Sequence, residues 1–103
     1  MSMPSGKQPT SGPFARAVSA EFRAAMARHQ MSGPRLAQRS GISQSYLSRR
    51  LRDEVAFTAN DIEAICKALD ISLFGVLQAA VKAMASSAAR NELVHGPPPA
   101  KRK

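Results

Sequence analysis

The sequence predicts an all-α fold of five helices. Apolar residues recur at helical spacing from Phe14 to Met26 and again from Ile62 to Leu69. Four further places repeat one pattern: an apolar residue, then Ser or Thr, then three residues, then another apolar residue. Met31-Ser32 with Leu36, Ile42-Ser43 with Leu47, Phe57-Thr58 with Ile62, and Ile71-Ser72 with Val76 each read as a hydrophobic staple around an N-cap. Strands have almost no claim on what remains, and the connections are only a few residues long.

The first helix begins at Pro13, whose fixed φ suits a first helical position, and runs to about His29. Phe14, Val18, Phe22 and Met26 recur every four residues along it, with alanines filling the same face. The second starts at Ser32 and ends at Gly41, a residue that tolerates a left-handed backbone. Ser43 opens the third helix only two residues later, too soon for the pair to lie antiparallel. Ala37 lets the two helices approach closely, while Leu36, Ile42, Leu47 and Leu51 bury against the first helix. Gln44, Ser45, Ser48, Arg49 and Arg52 then fall on the remaining face. The fourth helix runs from Ala59 to about Leu69 and buries Ile62, Ile65, Cys66 and Leu69; Asp61, three residues after Thr58, gives a weak variant of the capping box. In the fifth, Phe74, Leu77, Val81, Met84 and Ala88 follow a 3-4-3-4 spacing through an alanine-rich stretch reaching about Asn91. Leu73 and Val76 are expected to face the bundle. Leu77, Val81, Met84 and Ala88 are then the expected contacts of a two-fold dimer, the alternative being an extension folded back on its own domain. The organisation expected is an unstructured tail over 1–12, a domain over 13–78, an extension of the fifth helix over 79–93, and a basic tail over 94–103.

Charge narrows the partner. The 103 residues hold 15 Lys and Arg against 7 Asp and Glu, a formal net charge of +8 that favours a polyanion. From Gly33 to Arg52 there are five arginines and no acidic residue. No apolar run approaches the roughly 20 residues of a spanning helix, and Met1 to Gly12 lacks the apolar core of a signal peptide. A cytoplasmic protein is therefore expected, in a bacterium or, if phage-encoded, in its host. Cys66 reads as a core residue, and His29 and His95 sit in no metal-ligand spacing, so neither metal nor cofactor is expected. Paired carboxylates in a cleft, a nucleophile with its base, and a glycine-rich phosphate loop are all missing; an enzyme is the weakest reading. Without an extra domain to hold an effector, no small-molecule ligand is expected.

The stretch LAQRSGISQSYLSR, Leu36 to Arg49, resembles the helix-turn-helix of the Cro and phage-repressor type, also called the xenobiotic-response-element family. IEAICKALDISLFGVL, Ile62 to Leu77, is similar to that family's fourth helix and the start of its fifth. The resemblance covers about residues 15 to 78 and implies a lambda-repressor-like domain that binds double-stranded DNA in the major groove. It assigns Gln44 to an adenine edge and Arg49 to guanine, with shorter contacts from Ser45 and Ser48. Phosphates fall to Arg35, Arg39 and Arg52, to Ser43, and to the amino end of the second helix at Ser32 and Gly33. Tyr46 is assigned to a sugar or phosphate, packing against the first helix being the other option. The chain departs from the family pattern at three places. Arg50 stands where an aliphatic residue is frequent, with Leu51 beside it; burial of Leu51 in its place would rotate the end of the recognition helix. Gly33 replaces a bracing glutamine, and Asp53 replaces a helix-ending glycine. The function expected is that of a small transcriptional repressor acting as a dimer on an operator, its recognition helices about 34 Å apart. An antitoxin that binds its toxin through Ala79 to Lys103, and a protein-binding adaptor with only non-specific DNA affinity, are the alternatives.

Overall fold

The computed structural model describes residues 10–95, with side chains described as far as residue 87. Five helices follow one another: α1 Pro13–Arg28, α2 Gly33–Ser40, α3 Gln44–Leu51, α4 Ala59–Leu69 and α5 Leu73–His95. No strand occurs among the described residues. The four N-caps expected from the repeated pattern all form. Ser32 Oγ accepts from the Arg35 amide at 3.2 Å, Ser43 Oγ from Tyr46 at 3.3 Å, Thr58 Oγ1 from Asp61 at 3.1 Å, and Ser72 Oγ from Gly75 at 3.0 Å. At Thr58 the box closes, because the Asp61 carboxylate accepts from the Thr58 amide at 3.0 Å. The shorter aspartate serves as well here as the usual glutamate.

The core is assembled from one face of each helix. Val18, Phe22 and Ala25 of α1 meet Leu36 and Ala37 of α2, Leu47 of α3, Ile65, Cys66 and Leu69 of α4, and Val76 and Ala80 of α5. Burial pushes the Cys66 thiol above its ordinary pKa, as suits a core residue. Phe57, in the loop before α4, sets its ring edge-to-face on Phe22 with centroids 5.4 Å apart. The helix pair α2–α3 is braced from both sides, α3 lying on α1 and α2 on α4, while α1 and α5 pack along each other. A bend of 113° at Asp70, whose φ is +58°, turns the chain from α4 into α5. No single helix among the described residues is long and apolar enough to cross a membrane.

Three expectations of burial need correcting. Phe14 and Leu73, placed in the core by periodicity, are more than a third exposed, and Ala80 fills the position one turn beyond Val76 instead. Leu51 is half-buried against the core, but it does not replace Arg50: the arginine itself is buried, only 6 % exposed. The expected tails fall largely outside the described residues. Within them, Ser11 is buried and α5 runs to His95.

Candidate nucleic-acid interface

The interface is built on the turn between α2 and α3. Gly41 takes φ +78°, the left-handed conformation that ends α2 in one residue, and its amide donates to the Ala37 carbonyl at 3.0 Å. The Ile42 amide reaches the same carbonyl at 3.2 Å, and Ser43 then caps α3. With Ala37 buried and small, the helices close on each other while Leu36 and Leu47 fill the space beneath. This leaves Gln44, Ser45 and Arg49 exposed along the outer face of α3 and Ser48 half-buried beside them.

That helix is tied down on two sides. From α1, the Ser19 hydroxyl donates to the Arg50 carbonyl at 3.1 Å and an Arg23 amine donates to the Leu51 carbonyl at 2.5 Å. The Arg50 carbonyl also accepts from the Asp53 amide at 3.1 Å, whereas the Leu51 carbonyl is an orphan of the last turn of α3 that would otherwise need water. Arg23 also faces Asp53 at 3.6 Å. From α4, the Asp61 carboxylate accepts from the Tyr46 hydroxyl at 2.8 Å and lies 3.7 Å from Arg50 Nε. The Arg50 guanidinium stacks 3.4 Å from the centre of the Tyr46 ring. Burial, then the Asp61 contact, raises the Tyr46 pKa, keeping the phenol protonated as its donor role requires. Arg50 therefore occupies the aliphatic position of the pattern with its charge matched by Asp61 and its flat face covered by tyrosine. The hydroxyl of Tyr46, a residue assigned above to a sugar or phosphate or to packing on α1, is bonded to α4.

Other charged groups shape the exposed face. Arg35 and Arg39 are exposed on α2, as are Ser32 at its amino end and Ser43 at the start of α3; Gly33 is half-buried. A cleft of about 410 Å³ brings Gly33, Gln44, Ser48 and Arg52 together with Arg23 and Leu51. Arg39 lies apart, in a hollow shared with Lys67 of α4. Asp53 takes φ +67°, so the aspartate adopts the left-handed turn that glycine would make more easily. The turn brings Glu54 back over the helix end, where its carboxylate accepts from Arg52 Nε at 2.9 Å and Arg49 Nε at 3.4 Å. Arg52, then Arg49, holds the Glu54 carboxyl below the ordinary glutamate range. Arg52 also donates to the Ser48 hydroxyl.

A short, capped helix pair with an arginine-bearing outer face is the arrangement that presents a helix to a DNA groove. A model of the Cro/C1-type HTH DNA-binding domain matches residues 21–75. The chain belongs to that family. Its fold and its broad role, DNA binding by transcription regulators, follow from membership and bear out the resemblance read from Leu36–Arg49 and Ile62–Leu77. Among solved structures, the clp gene regulator ClgR from Corynebacterium glutamicum is similar at 29% identity and a TM-score of 0.73, over 84% of this chain and 90% of that one. A hypothetical transcription factor from Neisseria gives 26% and 0.57, over 76% and 96%. A restriction-modification controller protein shares the fold, at 23% and 0.63, over 69% and 96%. No curated protein matches the sequence.

The sequence alone does not point to Arg23, Lys67 or Glu54. Arg23 and Lys67 lie in segments read only for their apolar period, and nothing local announces that they reach the helix pair. Glu54 lies two residues past Arg52, and although the resemblance marks Asp53 as standing in for a helix-ending glycine, nothing local says that the turn there brings Glu54 onto Arg49 and Arg52. Along α5, Val81 is 56 % exposed and Phe74 71 %, with Leu77 and Met84 half-buried. Ala88 is on the same helix, its side chain outside the described ones.

Proposed function

We propose that the chain is a sequence-specific transcriptional repressor of the Cro/C1 type that occupies an operator as a homodimer and blocks polymerase. The observation that carries this is the outer face of α3, where Gln44, Ser45 and Arg49 stand exposed on a helix tied to both α1 and α4. Side chains read base edges well when the element bearing them is fixed. Gln44 would pair with adenine and Arg49 with guanine in the major groove, Ser45 and Ser48 adding shorter contacts. Ser32, Gly33, Arg35, Arg39, Ser43 and Arg52 would meet phosphates, and Tyr46 would offer no more than the exposed part of its ring. The similarity to a protein named as a gene regulator supports a regulatory role. The exposed apolar side chains of α5 support the dimer, with Leu77, Val81, Met84 and Ala88 at the expected contact.

Selection of bound duplexes from a random DNA pool, followed by footprinting, tests the reading. A symmetric site with half-sites one helical turn apart is expected; an unselective pool would sink it and favour an adaptor role. Arg49→Ala should then cost about 1–3 kcal/mol on the selected site and relax one base position. Arg35→Ala should weaken all sequences alike and lower the salt slope by about one. Equal losses of the Arg49 variant on selected and random DNA would remove its base-reading role.

A further inference from the structure

The face that meets DNA carries one carboxylate between two of its arginines, and its placement is built into the backbone. Asp53 turns the chain at φ +67°, and the Glu54 amide then donates to the Arg49 carbonyl at 3.0 Å. The side chain divides its two oxygens: Oε1 lies 3.4 Å from Arg49 Nε, and Oε2 accepts from Arg52 at 2.9 Å. All three nitrogens of Arg52 are thereby engaged, Nε and one terminal amine on Glu54 and the other terminal amine on Ser48, with one N–H left on each terminal amine. Arg49 is held only by Nε, and no contact among the described residues uses its terminal amines.

We infer that Glu54 is a specificity-determining residue, a built-in competitor that lets Arg49 engage a matching base while withholding it from phosphates at large. The inference rests on the base-reading role proposed for Arg49. Two physical effects point the same way. Holding Nε from behind leaves the terminal amines free to present a fork to the two acceptors of guanine, and it restricts the rotamers that would otherwise be lost on binding. The carboxylate also reduces the charge of the two arginines from +2 to +1, so a passing phosphate gains less from them. A phosphate drawn to the free terminal amines of Arg49 would lie near the Glu54 carboxylate and be repelled by it, whereas a guanine edge is neutral and would make its contacts there without that opposition. The three-residue return from Arg52 to Glu54 places this acid where a segment with five arginines otherwise has none.

The test uses the full chain and two fluorescent duplexes of equal length, the selected site and a random sequence, each titrated at two salt concentrations. Glu54→Gln should tighten random DNA by about three- to tenfold and the selected site by less than about twofold, with a steeper salt slope on the random duplex. Glu54→Asp, which keeps the charge, should retain most of the discrimination. In an Arg49→Ala background the Glu54→Gln change should no longer alter the ratio between the duplexes. An unchanged ratio in the single variant, or an undiminished effect in the Arg49→Ala background, would overturn the inference. Circular dichroism melts establish that each variant is folded, and Glu54→Ala stands in should the glutamine variant not be. If wild type selects no sequence, or Arg49→Ala loses equally on both duplexes, it is the base-reading proposal that fails.

Discussion

At the scale of single residues, Arg50 shows how a charged side chain can replace an aliphatic one in a small core. Its guanidinium is covered by the Tyr46 ring and set against an Asp61 carboxylate that also accepts from Tyr46 and from the Thr58 amide. Its Nε lacks a hydrogen bond among the described residues, so the ion pair is imperfect. Such a pair is worth little net stability but costly to break on one side. Arg50→Ala should therefore destabilise by about 2–3 kcal/mol, losing the packing on Tyr46 and leaving a carboxylate under-compensated, whereas Arg50→Met, which restores the packing but not the charge, should recover only part of that loss. Urea unfolding followed by circular dichroism measures both. A loss on Arg50→Ala no greater than the roughly 0.5 kcal/mol typical of a surface change would show that the cluster contributes nothing.

At the scale of elements, the turn between α2 and α3 decides where the recognition face points. Gly41 has nothing within 4 Å of where a Cβ would stand, so packing does not require glycine there. What requires it is φ +78°. Gly41→Ala should cost about 1–2 kcal/mol, while Gly41→Asn should cost less, because asparagine visits the left-handed region more readily. Equal costs for the two would mean that something other than backbone conformation is at stake. The same principle explains why this part of the fold was legible in advance. Glycine at Gly41 and serines at Ser32 and Ser43 fix their local backbone with nearby groups, so the boundaries of α2 and the start of α3 can be read without knowledge of the rest. Gln30 also adopts a positive φ, at +54°, yet its residue type does not declare it, whereas Asp53, at +67°, is marked by the resemblance as standing in for a helix-ending glycine.

At the scale of the whole molecule, α5 carries apolar side chains that its own domain does not cover. Val76 and Ala80 are buried against the bundle, whereas Phe74 and Val81 are exposed. A second copy covering this face would bury them, and α5 is long enough, at 23 residues, to extend past the bundle. Val81→Glu or Met84→Glu should shift sedimentation from dimer toward monomer and weaken binding to a two-half-site operator far more than to a single half-site. A monomeric wild type would turn the face over to another occupant, and a small partner protein co-purifying with the chain would then support the antitoxin alternative. The basic balance is a property of this scale too: the net charge of +8 draws DNA without regard to sequence, and the residues proposed to read bases must work above that background.

What the sequence determined by itself is everything local. Capping serines and threonine, helical apolar periods and one left-handed glycine gave five helices, their order and their family, because each such signal acts within four residues of where it is written. The tertiary structure decided which partners the polar residues take across the chain. Ser19 reaching Arg50, Arg23 reaching Leu51, and Tyr46 reaching Asp61 span 31, 28 and 15 residues, and no spacing rule joins side chains so far apart. The family resemblance marks Arg50 as standing at a usually aliphatic position, with Leu51 expected to bury in its place, and does not say that Arg50 itself would be buried or what would neutralise it; helical spacing places Arg49 at the surface without saying that Glu54 would meet it. Both answers depend on how α1, α4 and the Asp53 turn enclose the recognition helix, and that enclosure exists only once the core has packed.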